Sequence, residues 1–169
     1  MTHIPSGATP TVQLTRRARI GQRMLAGLGG FLALLAIGEL AQWCHQPLLI
    51  GSFGATCVLL FGFPTVPFSR ARNVIGGHLL CSCTGLACLV LFGPGTLPMA
   101  AAVGLSIMLM LACNVTHPPA GGNSIIIFMT QPGWLFALTP TLAGAVMLVL
   151  IAGLYGRLIG RVNALTPQR

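Results

Sequence analysis

The sequence predicts an all-α, polytopic transmembrane helix bundle, and three observations predict it. Hydrophobic residues make up 54% of the 169 and charged residues only 6%, against about 25% charged in an ordinary soluble domain. No water-facing shell can be built from so few charges. The apolar residues come in long runs, several near the roughly 20 residues that a helix needs to cross a bilayer. The nine arginines lie between and outside those runs, at 16–23, 70–72 and 157–169, as basic residues flank membrane spans. The mean hydropathy of +0.86 agrees. The net charge of +8 therefore does not point to nucleic acid, which would call for a basic stripe with interleaved aromatics.

Six segments follow in order. Residues 24–43 form a full span interrupted in polarity only by Glu39 and Gln42. Residues 47–63 are shorter and open on Pro47, Gly51, Ser52 and Gly54. Residues 74–92 form a span with Gly76, Gly77 and His78 in its first turns, and a Gly-Pro-Gly turn at 93–95 leads to a fourth, 97–113. Residues 118–129, bounded by Pro118-Pro119 and Gln131-Pro132-Gly133, are too short to cross as a helix, since each residue rises only about 1.5 Å against a hydrocarbon core of about 30 Å. The last span, Trp134 to Tyr155, has an aromatic at each end, the interfacial position. The expected organisation is a disordered basic tail (1–23), one membrane domain (24–157) and a C-terminal tail (158–169). A transit peptide is the other reading of the first stretch.

The second and fifth segments are alike. Each begins with helix breakers and small polar residues, turns apolar, and lies between two fuller spans. This divides the domain into repeats 24–92 and 97–155. If all six segments cross, every arginine falls on one side and the second repeat is inverted, an arrangement found in transporters. The positive-inside rule then places both termini in the cytoplasm and the chain in the cell's inner membrane. A four-span version, with both short segments re-entrant, puts Arg70 and Arg72 on the other side.

The densest local signal is Asn114-Val115-Thr116-His117-Pro118-Pro119-Ala120-Gly121-Gly122-Asn123-Ser124. A half-helix starting at either proline leaves backbone N–H groups unpaired. The dipole adds about half a positive charge there, and Gly121 and Gly122 leave the backbone uncovered. That is a site for a small anion; a tight helix crossing that uses Gly and Pro for close approach is the alternative. His117 is a ligand, a proton carrier or a capped core histidine, and His78 is functional or a packing residue. Glu39, the only acid, is a proton-coupling candidate with His117, or an arginine's partner. Arg72, beside Asn73, snorkels to the headgroups or guides an anion. Six cysteines make no CxxC and no zinc spacing, so no metal and no cofactor is expected.

Thr116-His117-Pro118-Pro119-Ala120-Gly121-Gly122, with Arg72-Asn73-Val74-Ile75-Gly76-Gly77-His78 and Gly51-Ser52-Phe53-Gly54-Ala55 upstream, resembles the HPP family of integral membrane proteins, named for its His-Pro-Pro motif. The likeness spans about residues 24–155. One departure stands at Ala71, where the family pattern often has proline before the arginine. The family is commonly described with four spans, against the six counted above. Members in photosynthetic organisms are associated with nitrite transport. The resemblance thus implies passage of a small monovalent anion, nitrite first.

The residues expected to bind it are Gly51, Ser52, Phe53, Gly54 and Thr56 from the first half, Arg72, Asn73 and His78 between, and Asn114, Thr116, His117, Pro118, Pro119, Gly121, Gly122, Asn123 and Ser124 from the second. The expected partners are the lipid bilayer, the anion and further copies of the chain in a homo-oligomer. An intramembrane hydrolase on Ser52 or Ser124 lacks a G-x-S-x-G and a second acid, so no enzyme is expected. A membrane scaffold without transport is the alternative function.

Overall fold

The computed structural model describes residues 16–45 and 48–165. They form six helices and, among the described residues, no strand: α1 (Arg16–Trp43), α2 (Ser52–Cys57), α3 (Ala71–Phe92), α4 (Thr96–Ala112), α5 (Gly121–Thr130) and α6 (Ala143–Leu165). The helical run of α2 continues as a π-turn through Val58–Gly62, and short 3₁₀ turns at Pro67–Ser69 and Pro118–Ala120 lead into α3 and α5. This is the all-α bundle that composition requires. Residues 1–15 of the expected N-terminal tail, Pro47 of the second segment and residues 166–169 of the expected C-terminal tail lie outside the described residues.

The helices run further than the apolar runs do. α1 begins at Arg16 rather than at 24 and spans 28 residues, about 42 Å at 1.5 Å per residue. That exceeds the hydrocarbon core, so its basic first turns reach the headgroups. α6 likewise continues past Arg157 to Leu165. Two helices, Arg16–Trp43 and Ala71–Phe92, and the kinked helical segment Trp134–Gly160 are long and apolar enough to cross a membrane. α4, expected as a full span, has 17 residues and reaches only about 26 Å.

The last segment is not one continuous helix. Thr139 is extended (φ −133°, ψ 116°), which interrupts the helix just before Pro140. A 3₁₀ turn, Trp134–Ala137, precedes the break and α6 follows it. Between α3 and α4, Gly93 takes φ +72°, a left-handed conformation that glycine adopts without steric cost. Two residues beyond α4, Asn114 takes φ 55°, which directs the chain back toward the start of α3.

Two apolar lobes result. One core joins α1, α2 and α6 through Ala33, Ile37, Phe53, Leu60, Ala145 and Leu148. The other joins α3, α4 and α5 through smaller clusters around Cys81 and Met110, Leu86 and Ile127, and Ala102 and Phe128. Each half's long third helix uses a glycine to approach the other half's short helix. A methyl added at Gly85 of α3 would come within 3.1 Å of Ser124 Cα on α5, and one at Gly144 of α6 within 2.7 Å of the Leu48 carbonyl before α2. Large apolar side chains such as Phe31, Leu35, Val90, Met108, Leu150 and Leu154 point outward, a face suited to lipid, while the polar side chains turn inward.

Candidate functional site

The inward polar groups meet in a seam between the two lobes. α3 places His78 and Ser82 one turn apart on one face, and α2 places Ser52 and Thr56 the same way. From the second half come His117, just before the Pro-Pro turn, Asn123 in the first turn of α5, and Thr141 just after the Thr139 break. Ser52 is 7% exposed and the other six are wholly buried.

The contacts make a continuous chain. His117 Nδ1–H donates to the Phe68 carbonyl at 2.8 Å, and His117 Nε2 lies 3.0 Å from Thr56 Oγ1. Thr56 Oγ1 donates to the Ser52 carbonyl at 3.0 Å, and Ser52 Oγ donates to Asn123 Oδ1 at 2.6 Å. Asn123 Nδ2 donates to Ser82 Oγ at 2.9 Å, and Ser82 Oγ lies 2.9 Å from Thr141 Oγ1. His78 faces the middle of the chain, its Nε2 3.3 Å from Ser52 Oγ and 3.5 Å from Thr56 Oγ1. Its ring packs edge-on against Phe53 and lies 5.0 Å, centre to centre, from that of His117. Among the described residues no buried side-chain polar atom lacks a partner, as the cost of burying an unpaired one demands.

Cavities lie at or beside the first and last members of the seam. One, of about 610 Å³, surrounds the start of α3 and is lined by Phe68, Arg70, Arg72, Asn73, Asn114 and Thr116. Arg72 donates to the Asn114 carbonyl there, and Asn73 Nδ2 donates to the Thr116 carbonyl at 2.9 Å. The other, of about 540 Å³, lies around Gly51, Ile126, Thr130, Leu135 and Thr139. Ile126 and Thr130 of α5 line this second cavity, and none of the α3 residues does. Phe68 lines the first cavity, and Thr141 stands two residues from Thr139 in the second.

The expected binding residues therefore divide. Ser52, Thr56, His78, His117 and Asn123 meet in the seam, and Arg72, Asn73, Asn114 and Thr116 line the first cavity. Ser124 points away, to Ser106 Oγ at 2.9 Å and the Cys81 carbonyl. Gly51 lines the second cavity, while Gly54 and Pro118 are exposed and Pro119 is half-buried. Glu39 stands on the exposed side of α1, a helix that packs on α2 and α6.

At the Pro-Pro turn the backbone donors up to Gly121 are not free. Prolines 118 and 119 have no N–H, the Ala120 N–H bonds the His117 carbonyl, and the Gly121 N–H bonds back to Pro118 and Pro119. Donors in the seam are hydroxyl, amide and imidazole groups instead. Gly121 and Gly122 do leave space: a methyl at Gly121 would meet nothing within 4 Å, and one at Gly122 only Ser52 Cβ at 3.9 Å. Gly77, by contrast, is glycine for packing, since a methyl there would come within 2.9 Å of His117 Cβ. Ser82, Thr141 and the Phe68 carbonyl were not anticipated. The spacing of Ser82 one turn after His78, and a Thr-Pro pair inside an apolar run, were the available signals.

The model of the HPP transmembrane region matches residues 15–163. A transmembrane protein of Dictyostelium discoideum is 37% identical over 142 residues, covering 79% of this chain and 50% of that protein. A second from the same organism is 30% identical over 112 residues, 62% of this chain and 36% of its own length. The chain thus spans half or less of the length of these relatives. No solved structure matches it. With an outward apolar face, an inward polar seam and a family match over nearly its whole length, this chain is a membrane protein that belongs to the HPP transmembrane region family.

Proposed function

We propose that the protein carries a small monovalent anion, nitrite first, across a cytoplasmic membrane, along the seam between its two lobes. The observation that carries this reading is the unbroken run of buried polar side chains from the Phe68 carbonyl, which lines the first cavity, to Thr141, next to Pro140 of the second. Buried polar groups between apolar lobes are expensive in a membrane and mark substrate paths. The guanidinium groups of Arg70 and Arg72 beside the first cavity supply the field that draws an anion in. Six crossings, with the arginine-bearing ends cytoplasmic, accord with that arrangement. The seam is closed in this conformation, its side chains bonded to one another, which favours a transporter that opens alternately over a standing pore.

Two other readings each have an observation behind them. A polar core in which every buried side-chain polar atom has a neighbour at hydrogen-bonding distance, among the described residues, also suits a scaffold that fixes how the lobes pair. Ser52 Oγ lies 3.3 Å from His78 Nε2, the pairing of a nucleophile with its base. Yet the serine hydrogen is directed to Asn123, and the histidine is oriented by the Val74 carbonyl rather than by a carboxylate. We therefore read the protein as non-enzymatic, and labelling of Ser52 by a serine-reactive probe would reverse that reading.

The test is anion uptake by purified protein in liposomes, over a panel of monovalent anions, with G122L beside the wild type. Leucine at 122 would project into the space next to Ser52 and should suppress nitrite flux per folded molecule at least about ten-fold, a barrier increase of about 1.4 kcal/mol. Absence of flux for every anion would select the scaffold, and unchanged flux per folded molecule in G122L would move the path away from the seam.

A further inference from the structure

We infer that His78 and His117 together hold one proton that travels with the anion, so that the transported unit is neutral; this rests on the transport reading above. The argument starts from counting hydrogens. His78 Nδ1 lies 2.9 Å from the Val74 carbonyl and His117 Nδ1 2.8 Å from the Phe68 carbonyl. A carbonyl only accepts, so each Nδ1 carries the ring hydrogen and each Nε2 of a neutral ring is a bare acceptor. Both Nε2 atoms face the same two hydroxyl groups, Ser52 and Thr56.

Those hydroxyls own two hydrogens. Four acceptors compete for them: the two Nε2 atoms, Asn123 Oδ1 at 2.6 Å from Ser52 Oγ, and the Ser52 carbonyl at 3.0 Å from Thr56 Oγ1. The centre of the seam is short of hydrogens. One added proton, placed on either Nε2, turns that nitrogen into a donor toward a hydroxyl oxygen that still has a lone pair free. A second would set two imidazolium rings 5.0 Å apart, with like-charge repulsion in a buried place. The site therefore accommodates one proton, shared between two rings.

No protein charge faces that proton. The single acid, Glu39, is exposed on α1. Cys57 of α2 packs into the α1 and α6 core, and Cys81 of α3 packs with Met110 and Ala120. α4, α5 and the turns at 67–69, 118–120 and 134–142 contribute no titratable side chain. Arg70 and Arg72 are exposed at the first cavity. An imidazolium there is a buried charge without a partner, which is costly. An anion alone in the seam is costly for the same reason. Together they cancel, so each raises the site's affinity for the other by the same factor.

The experiment uses the full chain in liposomes with nitrite as the probe, subtracting protein-free vesicles because nitrous acid crosses lipid unaided. Uptake is measured under an inward proton gradient with the membrane potential clamped at zero, and then under an imposed potential with no gradient. A trapped pH indicator counts protons. The expected result is uptake driven by the gradient, indifferent to the potential, with one proton entering per nitrite. H78Q and H117Q keep polar side chains but hold no proton, and whichever folds should lose the response to the gradient and follow the potential. Wild-type uptake that follows the potential and ignores the gradient would overturn the coupling while leaving the anion path standing. Absence of nitrite flux under either drive would overturn both. The wild-type stoichiometry decides the matter even where a histidine variant fails to fold.

Discussion

The two ends of the seam differ more than the two halves of the chain do. Around the start of α3 the cavity carries two guanidinium groups, and Arg72 is fixed by the Asn114 carbonyl. At the other end Leu49, Ile50, Ile126, Leu135 and Phe136 dominate, and the polar side chains are two threonines, Thr130 and Thr139. Both cavities are of similar size, so the contrast is one of field and not of room. On the proposed transport reading, an anion arriving at the first would be drawn by charge, whereas at the second it would leave water with little to replace it. Recognition of charge would then come before the seam at one end and only within it at the other. The protein should work asymmetrically, with tighter half-saturation from the arginine end.

Three substitutions would break or sharpen that contrast. The largest effect is expected from N123L, which removes the bridge between Ser52 and Ser82 that both ends share. Flux should fall at least about 100-fold from either side, and the loss of the two buried hydrogen bonds to Ser52 and Ser82 should cost about 1–3 kcal/mol of stability. Thermal unfolding in detergent, alongside flux per folded molecule, separates the two losses. Next comes R72Q, which should raise the half-saturating nitrite concentration about ten-fold for uptake from the arginine end, an effect that salt would diminish. Uptake from the apolar end should be unaltered, and an equal change from both sides would place Arg72 within the path and not at its mouth. Smallest is T130V: Thr130 Oγ1 already donates to the Ile126 carbonyl, so flux from either side should change by less than about two-fold, within the roughly 0.5 kcal/mol common for such surface changes.

Hydropathy and arginine placement make the helix bundle legible, because lipid imposes a composition that no soluble fold shares. The helix ends are less legible, since the hydrophobic run marks what must sit in hydrocarbon. α1 begins eight residues earlier because arginine stems can carry their charge to the headgroups. The break at Thr139 is a backbone event inside a run that hydropathy reads as uniform. In the site, His117, His78, Asn123, Ser52 and Thr56 stand out as polar residues near helix starts, and the structure brings all five together. Ser82 and Thr141 do not stand out, because a lone hydroxyl in an apolar helix usually bonds its own backbone. The supposed donors at Gly121 fail for a local reason: two prolines favour a tight turn whose few N–H groups are consumed within it.

The crossed glycine contacts, Gly85 of α3 on α5 and Gly144 of α6 against Leu48 and Phe53, bear on how the chain is made. During synthesis α1 to α3 emerge first, yet the surface that α3 needs belongs to α5, and the pocket that holds Phe53 is finished only by α6. Until α5 inserts, Ser52 lacks Asn123 and Thr56 lacks His117, and Ser82 lacks Thr141 until the last segment follows, in a medium that offers few substitutes. The first half must therefore wait at the insertion machinery or beside other polar helices. The two halves come to rest as one cooperative unit, and their polar seam is sealed last.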